Sequence, residues 1–503
     1  MSIRLTSLFL IFSFLIGSLL GSDLKVASPF TDHMVLQQHQ PVPVWGKAKP
    51  GSKVTVEFAG QAHSTQANKA GKWMLSLPKL NGSAKGSSMK IRSGETELVL
   101  QDVVVGEVWI CSGQSNMQMG ASVVPELKDK PVENIRTFEV KRTVAFTEQD
   151  ELQGTWKLAG PNSAVALSFA HFLEKQTEGV PVGIILAAWG SSSIEAWMPR
   201  DMTEELPHFK TIMEEWDANK EAQERIQAAI TKGSWSRTDD IFMRRQSCIV
   251  YNAMIHPLAP YACQGLVWYQ GERNTRYISS MPDSPWYHRV AGIQEYDETL
   301  MAWMKRYRKE WNREDFHFLV VMLPGFGSLL KTGPTMDPKH PASHSWAWMR
   351  ESQLKALDLP HTGIANTIDL GDFKNIHPRD KMPIGQRLAL LAARDTLGKD
   401  IEASGPVFSS LEQSKNQLIV HFQHAKGLHT KDQKAPAEFW ISGEDGKWFP
   451  AIAKIEGESI ILHSPDVKKP AHVRYAFIGK PAVNLVNGAG LPAYPFRTDS
   501  FNP

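Results

Sequence analysis

The sequence predicts an α/β protein in which a domain with a parallel β-sheet lies between two smaller β-domains. Residues 102–400 alternate short β-branched runs with longer helical patterns, as βαβ units do. Residues 23–101 and 401–503 instead show short alternating runs separated by Gly, Pro and Asn, which is typical of antiparallel β-structure. The length of 503 residues agrees with this division, since one domain takes up roughly 150 residues.

Five apolar runs are the predicted strands of the central domain, and helical patterns separate them. Ligands of an open α/β sheet gather at the carboxyl ends of its strands, so we expect the site there. The predicted strands are residues 103–110, 182–188, 265–268, 316–323 and 363–368, and the predicted helices are residues 163–176, 296–311, 347–356 and 382–397. Asn162 or Ser163 is the expected cap of the first helix. Two polar stretches, residues 218–240 and 331–344, are interpreted as insertions near the cleft.

The flanking domains are predicted from alternating runs that contain no catalytic motif. We expect them to brace the central domain or to shape the rim of its cleft. Their predicted strands include residues 42–46, 54–58 and 72–77 at the amino end and residues 418–422, 437–441, 459–462 and 473–478 at the carboxyl end.

The amino terminus has the pattern of a secretory signal peptide over residues 1–22. Arg4 precedes an apolar run at residues 8–20, and small residues follow. The run is too short for a comfortable membrane span, and no later stretch approaches 18 uninterrupted apolar residues. A retained anchor is the alternative, because a leucine would stand three residues before the cut. We therefore expect an exported protein, periplasmic or extracellular, without a further membrane segment.

Composition argues against several functional classes. Lys and Arg number 55 against 53 Asp and Glu, which gives a net charge of +2 without long single-sign runs. A nucleic-acid or anionic-membrane partner is therefore not expected. Because the chain has no Cys-x-x-Cys and no helical His pair with a third ligand, we predict no catalytic metal. The sequence does not indicate an oligomeric state.

Cysteine and tryptophan usage adds two expectations. Cys111, Cys248 and Cys263 are too few for a disulfide framework, so buried free thiols are expected, with a Cys248–Cys263 pair as the alternative. The sixteen tryptophans are expected mostly in cores and domain contacts. Some of them suit a sugar site, since a flat indole face stacks on pyranose C–H groups.

Ser115 is the candidate nucleophile. An apolar run ends at Ile110 and passes through Gly113 into small and amide residues, which favour a tight turn with the serine at its tip. A serine at the carboxyl end of a buried strand is well placed for nucleophilic attack. By itself, Gly-x-Ser equally describes an ordinary turn serine.

Four blocks of sequence give this serine a context. Together they resemble the sialate O-acetylesterase family of the SGNH hydrolase superfamily, and the resemblance extends from about Val26 to Asp499. It implies an SGNH-type three-layer α/β/α domain with a parallel sheet, flanked by β-sandwich-like domains, and a carbohydrate esterase without a cofactor. The blocks are residues 106–117 with Gly-Gln-Ser-Asn-Met, residues 189–197, residues 268–274, and Ile376-His377-Pro378 with Lys381.

The resemblance assigns His377 as the base. The chain has a second His-Pro pair at His256, but only His377 follows Asp369 and Asp372 and precedes Lys381, as in the last block of the family. The acidic partner is open, because Lys374 stands where many SGNH hydrolases have Asp. Asp372 is the favoured acid, and Asp369, Glu272 or a Ser-His dyad are the alternatives.

The same resemblance implies groups that stabilise the oxyanion or hold substrate. The backbone N–H groups of Ser115 and Gly190 and the amide of Gln270 are the expected oxyanion donors. Gln114, Asn116 and Glu272 are further candidates for holding substrate or stabilising the oxyanion. The amides of Gln114 and Asn116 equally fit another role, in which buried side chains hydrogen-bond neighbouring loops together. Ser191 and Arg273 depart from residues frequent in the family, which affects the choice of substrate.

The function expected from these features is an exported serine esterase that removes O-acetyl groups from carbohydrate through an acetyl-Ser115 intermediate. Acetylated sialic acid is the substrate that the resemblance implies, and acetylxylan or another polysaccharide is the alternative. A non-catalytic carbohydrate-binding protein on the same fold is the alternative of another class. A lipid-directed SGNH esterase would have a more apolar cleft rim than these loops suggest.

Overall fold

The computed structural model describes residues 24–128, 132–279 and 290–503. The predicted signal peptide, residues 1–22, lies outside these ranges. Within them, no helix combines the length and the apolar character needed to cross a bilayer. Cys111, Cys248 and Cys263 are free and buried, as expected from their number.

The amino-terminal β-domain consists of two packed sheets. β1, β3 and β6 form one of them. In the other, β5 pairs with β4, β4 pairs with β7, and β7 pairs with the first part of β8. β6 alternates exposed and buried residues, which turns Trp73, Leu75 and Leu77 into the core between the sheets. The strands are β1 Lys25–Val26, β2 Val35–Gln37, β3 Val42–Lys47, β4 Lys53–Phe58, β5 Gln61–Gln66, β6 Lys72–Leu77, β7 Ser83–Ser93 and β8 Thr96–Gly113.

β8 crosses the predicted boundary between residues 101 and 102. Its first half pairs antiparallel with β7, whereas residues 107–113 lie in the middle of the parallel sheet. Every residue from Val103 to Gly113 is buried, as is typical of a strand covered on both faces. The amino-terminal domain and the central domain therefore share a continuous strand.

The remaining strands of the parallel sheet confirm the predicted runs with small shifts at their ends. Among the described residues, the sheet has the order β10-β9-β11-β8-β12-β13-β14, with only β10 antiparallel to its neighbour. β9 was not predicted, because Arg136, Thr137 and Glu139 interrupt its apolar pattern. The strands are β9 Ile135–Glu139, β10 Trp156–Lys157, β11 Val182–Ala188, β12 Gly265–Tyr269, β13 His317–Val321 and β14 Thr362–Ala365.

Helices connect these strands, and the four helices predicted from the sequence are present with small shifts at their ends. Ser163 caps α3, since its hydroxyl accepts the backbone N–H of Ala166. The α-helices are α1 Ser115–Gln118, α2 Pro125–Lys128, α3 Ala164–Glu174, α4 Pro207–Ala218, α5 Lys220–Lys232, α6 Arg237–Met243, α7 Ile249–Met254, α8 Ile293–Glu310, α9 Trp346–Leu354 and α10 Met382–Leu397. Short 3-10 helices lie at Ala121–Val123, Ile194–Trp197, Arg200–Glu204, His256–Leu258, Asn274–Arg276 and Lys355–Asp358.

Helices cover both faces of the parallel sheet. On one face, Trp109 of β8 packs edge-on against Phe169 of α3 at 5.6 Å. On the other, Trp268 of β12 packs against Trp303 of α8 at 4.5 Å. Trp109 and Trp268 point to opposite faces of the sheet. Trp268 is in register with Ser112, which lies three residues after Trp109, and successive side chains of a strand alternate between the two faces. The predicted three-layer α/β/α arrangement is therefore confirmed.

The carboxyl-terminal domain is an antiparallel β-structure, as predicted. Its sheets have the orders β15-β16-β21-β20, β19-β18-β22-β24 and β17-β23. The buried guanidinium of Arg350 on α9 donates to the carbonyls of Ile478 and Gly479, which joins this domain to the central one. The strands are β15 Val407–Ser414, β16 Gln417–Gln423, β17 His429–Thr430, β18 Phe439–Ser442, β19 Phe449–Pro450, β20 Ile452–Glu456, β21 Ser459–His463, β22 His472–Tyr475, β23 Leu485–Val486 and β24 Phe496–Arg497.

Candidate active site

The turn after β8 presents Ser115 at the carboxyl edge of the parallel sheet. Gly113 has φ +137°, a conformation that side chains disfavour. A Cβ on Gly113 would also lie 2.2 Å from the carbonyl oxygen of Tyr269. The glycine therefore lets β8 run close to β12, and α1 then begins at Ser115 itself.

His377 meets this serine from the loop between β14 and α10. Its Nε2 lies 2.8 Å from Ser115 Oγ, although 262 residues separate the two in sequence. Burial lowers the pKa of His377, and the positive charge of Lys381 lowers it further. Both effects favour the neutral imidazole, the form that can accept the serine proton.

The structure does not bring Asp372 to this imidazole. Its Oδ1 accepts the backbone N–H groups of Lys374 and Asn375, each at 2.7 Å. The carboxylate thus closes the turn that leads to His377, which is a common use of Asp in loops. Among the described residues, no hydrogen bond joins Asp372 to His377.

The other acidic candidates also lack contact with the ring. Asp369 forms a two-pronged ion pair with Arg387 at 2.7 and 2.8 Å, and Glu272 bonds to Asn116. In the part of the chain that the structure describes, His377 Nδ1 has no hydrogen-bond partner. The geometry therefore corresponds to a Ser-His pair. His256 lies elsewhere, with Nδ1 at 2.9 Å from the carbonyl of Gln149.

A buried amide ties the serine and histidine segments together. Asn116 donates from Nδ2 to Glu272 Oε1 at 2.5 Å and to the carbonyl of Ile376 at 3.1 Å. Its Oδ1 accepts from Lys381 Nζ at 2.6 Å. Asn116 and Lys381 are fully buried. The Asn116 amide therefore connects loops and does not face substrate.

Burial acts on both charged members of this network. It raises the pKa of Glu272 to about 7 and lowers the pKa of Lys381 to about 7. The two groups partly offset these shifts, since Lys381 lowers the pKa of Glu272 and Glu272 raises that of Lys381. The Lys381 charge that depresses the His377 pKa is thus itself adjusted by Glu272.

Two of the predicted oxyanion donors are engaged by protein acceptors. The N–H of Gly190 donates to Gln118 Oε1 at 2.6 Å. Gln270 Nε2 donates to Asn274 at 2.9 Å and, more weakly at 3.3 Å, to Gln114 and the Ser192 carbonyl. Because Gln270 is fully buried, its amide must find internal partners.

Gly190 and Ser115 nevertheless keep the positions expected of them. A Cβ on Gly190 would lie 3.2 Å from the Ser115 Cβ, so the absence of a side chain there lets the loop pass close to the serine. The backbone N–H of Ser115 has no backbone acceptor among the described hydrogen bonds. Of the three predicted oxyanion donors, it is the one that the protein leaves unoccupied.

Ser115 and His377 open into a cavity of about 580 Å³. Gln114 and Glu272 line it as well, whereas Gly190 and Gln270 are not among the described residues that line it. Three arginines and three aromatic side chains complete much of the lining. They are Arg245, Arg273, Arg276, Tyr277, Phe326 and Trp346.

Most of these lining residues were not predicted, since they come from several loops without a shared motif. Gln118 was also missed. Its position on the same short helix as Ser115, three residues later, was the available signal, because residues i and i+3 are neighbours on a helix.

Comparison with known proteins identifies the family. Residues 105–393, which include all the predicted site residues, match the model described as carbohydrate esterase, sialic acid-specific acetylesterase. The chain belongs to this family. It is therefore a carbohydrate acetylesterase of the sialate O-acetylesterase type, which confirms the predicted enzyme class.

Sialate O-acetylesterases and a carbohydrate acetylesterase of known structure are similar to most of the chain. Sialate O-acetylesterase of Rattus norvegicus is 27% identical over 529 residues, covering 95% of this chain and 94% of the rat protein. The human protein is 26% identical and covers 86% of this chain and 83% of its own length. The crystal structure of a carbohydrate acetylesterase from Xanthomonas citri is 31% identical, with a TM-score of 0.78, and covers 95% of this chain and 100% of that chain.

The buried network of Asn116, Glu272 and Lys381 leads to a prediction about the pH dependence of activity. Replacing Lys381 with Met removes a buried cation that lowers the pKa of His377, so that pKa should rise. Because only neutral His377 accepts the serine proton, the acid limb of the kcat/KM profile should move to higher pH. The loss of Lys381 also removes the charge that lowers the pKa of Glu272, so Glu272 ionises less readily in the variant.

Lys374→Met is the matched control, because Lys374 lies in the same loop but is exposed. Its removal should leave the acid limb unchanged, since solvent screens an exposed charge. Equal shifts in the two variants, or none in Lys381→Met, would contradict the role of the buried cation.

Proposed function

We propose that this carbohydrate acetylesterase works through Ser115 as nucleophile and His377 as general base. The supporting observation is the 2.8 Å contact between Ser115 Oγ and His377 Nε2 in a cavity large enough for a sugar. His377 takes the proton as Oγ attacks the acetyl carbonyl carbon, and the Ser115 N–H faces the developing oxyanion. His377 then protonates the sugar oxygen as its bond to the acetyl carbon breaks, which releases the sugar hydroxyl and leaves acetyl-Ser115.

Water completes the cycle by the same route. His377 removes a proton from a water molecule as its oxygen attacks the acetyl carbon, and the proton returns to Ser115 Oγ when acetate leaves. The net reaction consumes one water and yields a free sugar hydroxyl and acetate. No acidic side chain takes part, and the Asn116 network holds the histidine loop in its place.

One set of variants tests both the assignment of Ser115 as nucleophile and the proposal that no acidic side chain acts on His377. Ser115→Ala should lower kcat on 4-nitrophenyl acetate by about 10⁴-fold or more, because the acyl acceptor is lost. Asp372→Asn should stay within about threefold of the wild type, since its carboxylate only closes a turn. Acid-quenched enzyme should show a 42 Da acetyl adduct on the peptide that contains Ser115, as the mass of an acetyl group requires.

Two results would contradict this mechanism. Retained activity in Ser115→Ala would remove the nucleophile, and a large loss in Asp372→Asn would restore a catalytic triad. Glu272→Gln provides a third comparison, because it preserves the shape of the side chain while removing the charge that faces Lys381.

We further propose that the acetylated sugar is anionic, as sialic acids are. Arg245, Arg273 and Arg276 line the cavity beside Ser115, and guanidinium groups bind carboxylates with good geometry. Such a lining suits a neutral xylan chain less well, and it suits the acyl chain of a lipid least.

O-acetylated sialosides should therefore be hydrolysed with a higher kcat/KM than acetylated xylan. Arg276→Gln should reduce this preference about fivefold, as expected for an exposed charge worth up to about 1 kcal/mol. Arg92→Gln is the control, because Arg92 lies in the amino-terminal β-domain, where it pairs with Glu57 and Glu97. A preference for acetylxylan in the wild type would favour the polysaccharide alternative.

The proposal includes export of the protein, which the pattern of residues 1–22 supports. Full-length chain expressed in a secretion-competent bacterium should accumulate in the periplasm or medium, and intact-mass measurement should show that about 22 residues have been removed. Recovery in the membrane fraction with these residues still attached would instead favour the retained anchor.

A further inference from the structure

A second cavity, of about 550 Å³, lies beside the one that contains Ser115. The same two chain segments line both. Trp189 and Arg244 face the second cavity, while Ser191 and Arg245 face the first. The two cavities therefore adjoin at these two segments.

The helix of the nucleophile reaches both cavities. Ser115 begins α1 and lines the first cavity, and Gln118 ends α1 and lines the second. Three residues of α-helix span about 4.5 Å along the axis. Gln118 also holds the N–H of Gly190, the residue packed against Ser115. α1 therefore borders both cavities.

Cations outnumber acids around the second cavity. Its basic residues are Lys141, Arg142, Lys157 and Arg244, and its acidic residues are Glu139 and Asp240. Asp240 is paired with Arg244 at 3.3 Å. The side chains of Arg142 and Lys157 make no hydrogen bond or ion pair with any residue that the structure describes. The cavity is therefore suited to an anion.

The buried part of this charge lies at Arg244. Burial lowers its pKa, Asp240 opposes that effect, and the nearby charges of Arg142 and Arg237 lower the pKa again. A further negative charge in the cavity would relieve this repulsion.

Trp235 gives the cavity an apolar wall. It lies in the connection between α5 and α6, inside the polar stretch at residues 218–240 that the sequence marks as an insertion, and it is half-buried. An indole ring that is only half covered presents a flat face, which suits the C–H groups of a sugar. Cations beside an aromatic wall are the features expected of a site for an acidic sugar.

We propose that the second cavity binds the sugar unit next to the acetylated one, and that this unit bears a carboxylate. The proposal rests on the assignment of Ser115 as nucleophile, because that assignment places the acetylated sugar in the first cavity. The enzyme would then act on acetylated acidic oligosaccharides in preference to single sugars.

Direct binding tests this proposal without relying on catalysis. Isothermal titration calorimetry on the full-length Ser115→Ala variant would compare three dimers with their monomers: α2,8-linked disialic acid, digalacturonic acid and xylobiose. At least one acidic dimer should bind about tenfold more tightly than its monomer, which corresponds to about 1.4 kcal/mol. Xylobiose should show no such gain.

Two substitutions then test whether the gain in affinity of the acidic dimer arises in the second cavity. Added to Ser115→Ala, Trp235→Ala and Arg142→Gln should each remove most of the advantage of the dimer while leaving the affinity for the monomer unchanged. Arg142 is exposed, so its replacement does not endanger folding. Trp440→Ala and Lys454→Gln in the carboxyl-terminal domain are the matched controls and should keep the full gain.

Three outcomes would overturn the proposal: no acidic dimer exceeds its monomer, the gain survives both substitutions, or xylobiose gains as much as the acidic dimers. None of them bears on the nucleophile, which the hydrolysis assay of Ser115→Ala decides. Loss of hydrolytic function and loss of the second subsite are therefore distinguishable.

Discussion

The Asn116 side chain links the three chain segments on which the proposed catalytic pair depends. It follows Ser115 directly, and its oxygen accepts a hydrogen bond from Lys381, four residues beyond His377. Its nitrogen donates to Glu272, in the loop after β12, and to the carbonyl that precedes His377. All of its amide groups are used and none is exposed. A side chain of this kind fixes relative positions, because moving any one segment breaks a buried hydrogen bond.

This arrangement accounts for a Ser-His pair without an acid at the ring. In a triad, the acid orients the imidazole and stabilises its protonated form. Here the carbonyl of Ile376 is held by Asn116, which fixes the backbone beside His377 and so orients the ring by another route. The second contribution is missing, and the nearby charge of Lys381 even disfavours the imidazolium. A base with a lowered pKa remains neutral at a lower pH. His377 therefore binds a proton less strongly, but it stays in the neutral form that can act as a base over a wider pH range.

Burying Glu272 and Lys381 is costly, because each charge loses its hydration. The raised pKa of Glu272 and the lowered pKa of Lys381 show that the protein offsets only part of this cost. Retaining both groups therefore needs a reason other than stability. Their contacts converge on the amide beside the nucleophile, which gives them a reason in the geometry of the site.

The sequence predicted those parts of the molecule that local patterns determine. Strand β11 is an unbroken apolar run and α10 has clear helical periodicity, and both were predicted to the residue. Strand β9 was missed because Arg136 lies within it, and that arginine is satisfied by carbonyls and a carboxylate from residues 33 and 102, far away in sequence. Long-range partners of this kind leave no mark on the local pattern.

The candidate site shows the same difference between features that local sequence predicts and features that depend on distant partners. Ser115 and His377 were identified because short blocks of sequence surround them, whereas Asp372 was chosen by its distance along the chain and was found turned into its own loop. Gly190 lies close to Ser115, but the acceptors that occupy its N–H group and the amide of Gln270 come from other segments. The resemblance to the family thus predicted that Ser115 and His377 meet, and it did not predict which atoms of the neighbouring residues remain available.

Strand β8 gives the amino-terminal domain a part in positioning Ser115, although the domain contributes no residue to the candidate site. The strand passes without interruption from the antiparallel sheet of that domain into the centre of the parallel sheet, and its last residue, Gly113, precedes the turn that presents Ser115. β2 pairs with it in parallel at Val104 and Val105 as well. Both ends of the strand are therefore held by ladders of hydrogen bonds, and a shift in either sheet would displace the nucleophile from His377. The β-domain is part of the frame that sets the position of the serine.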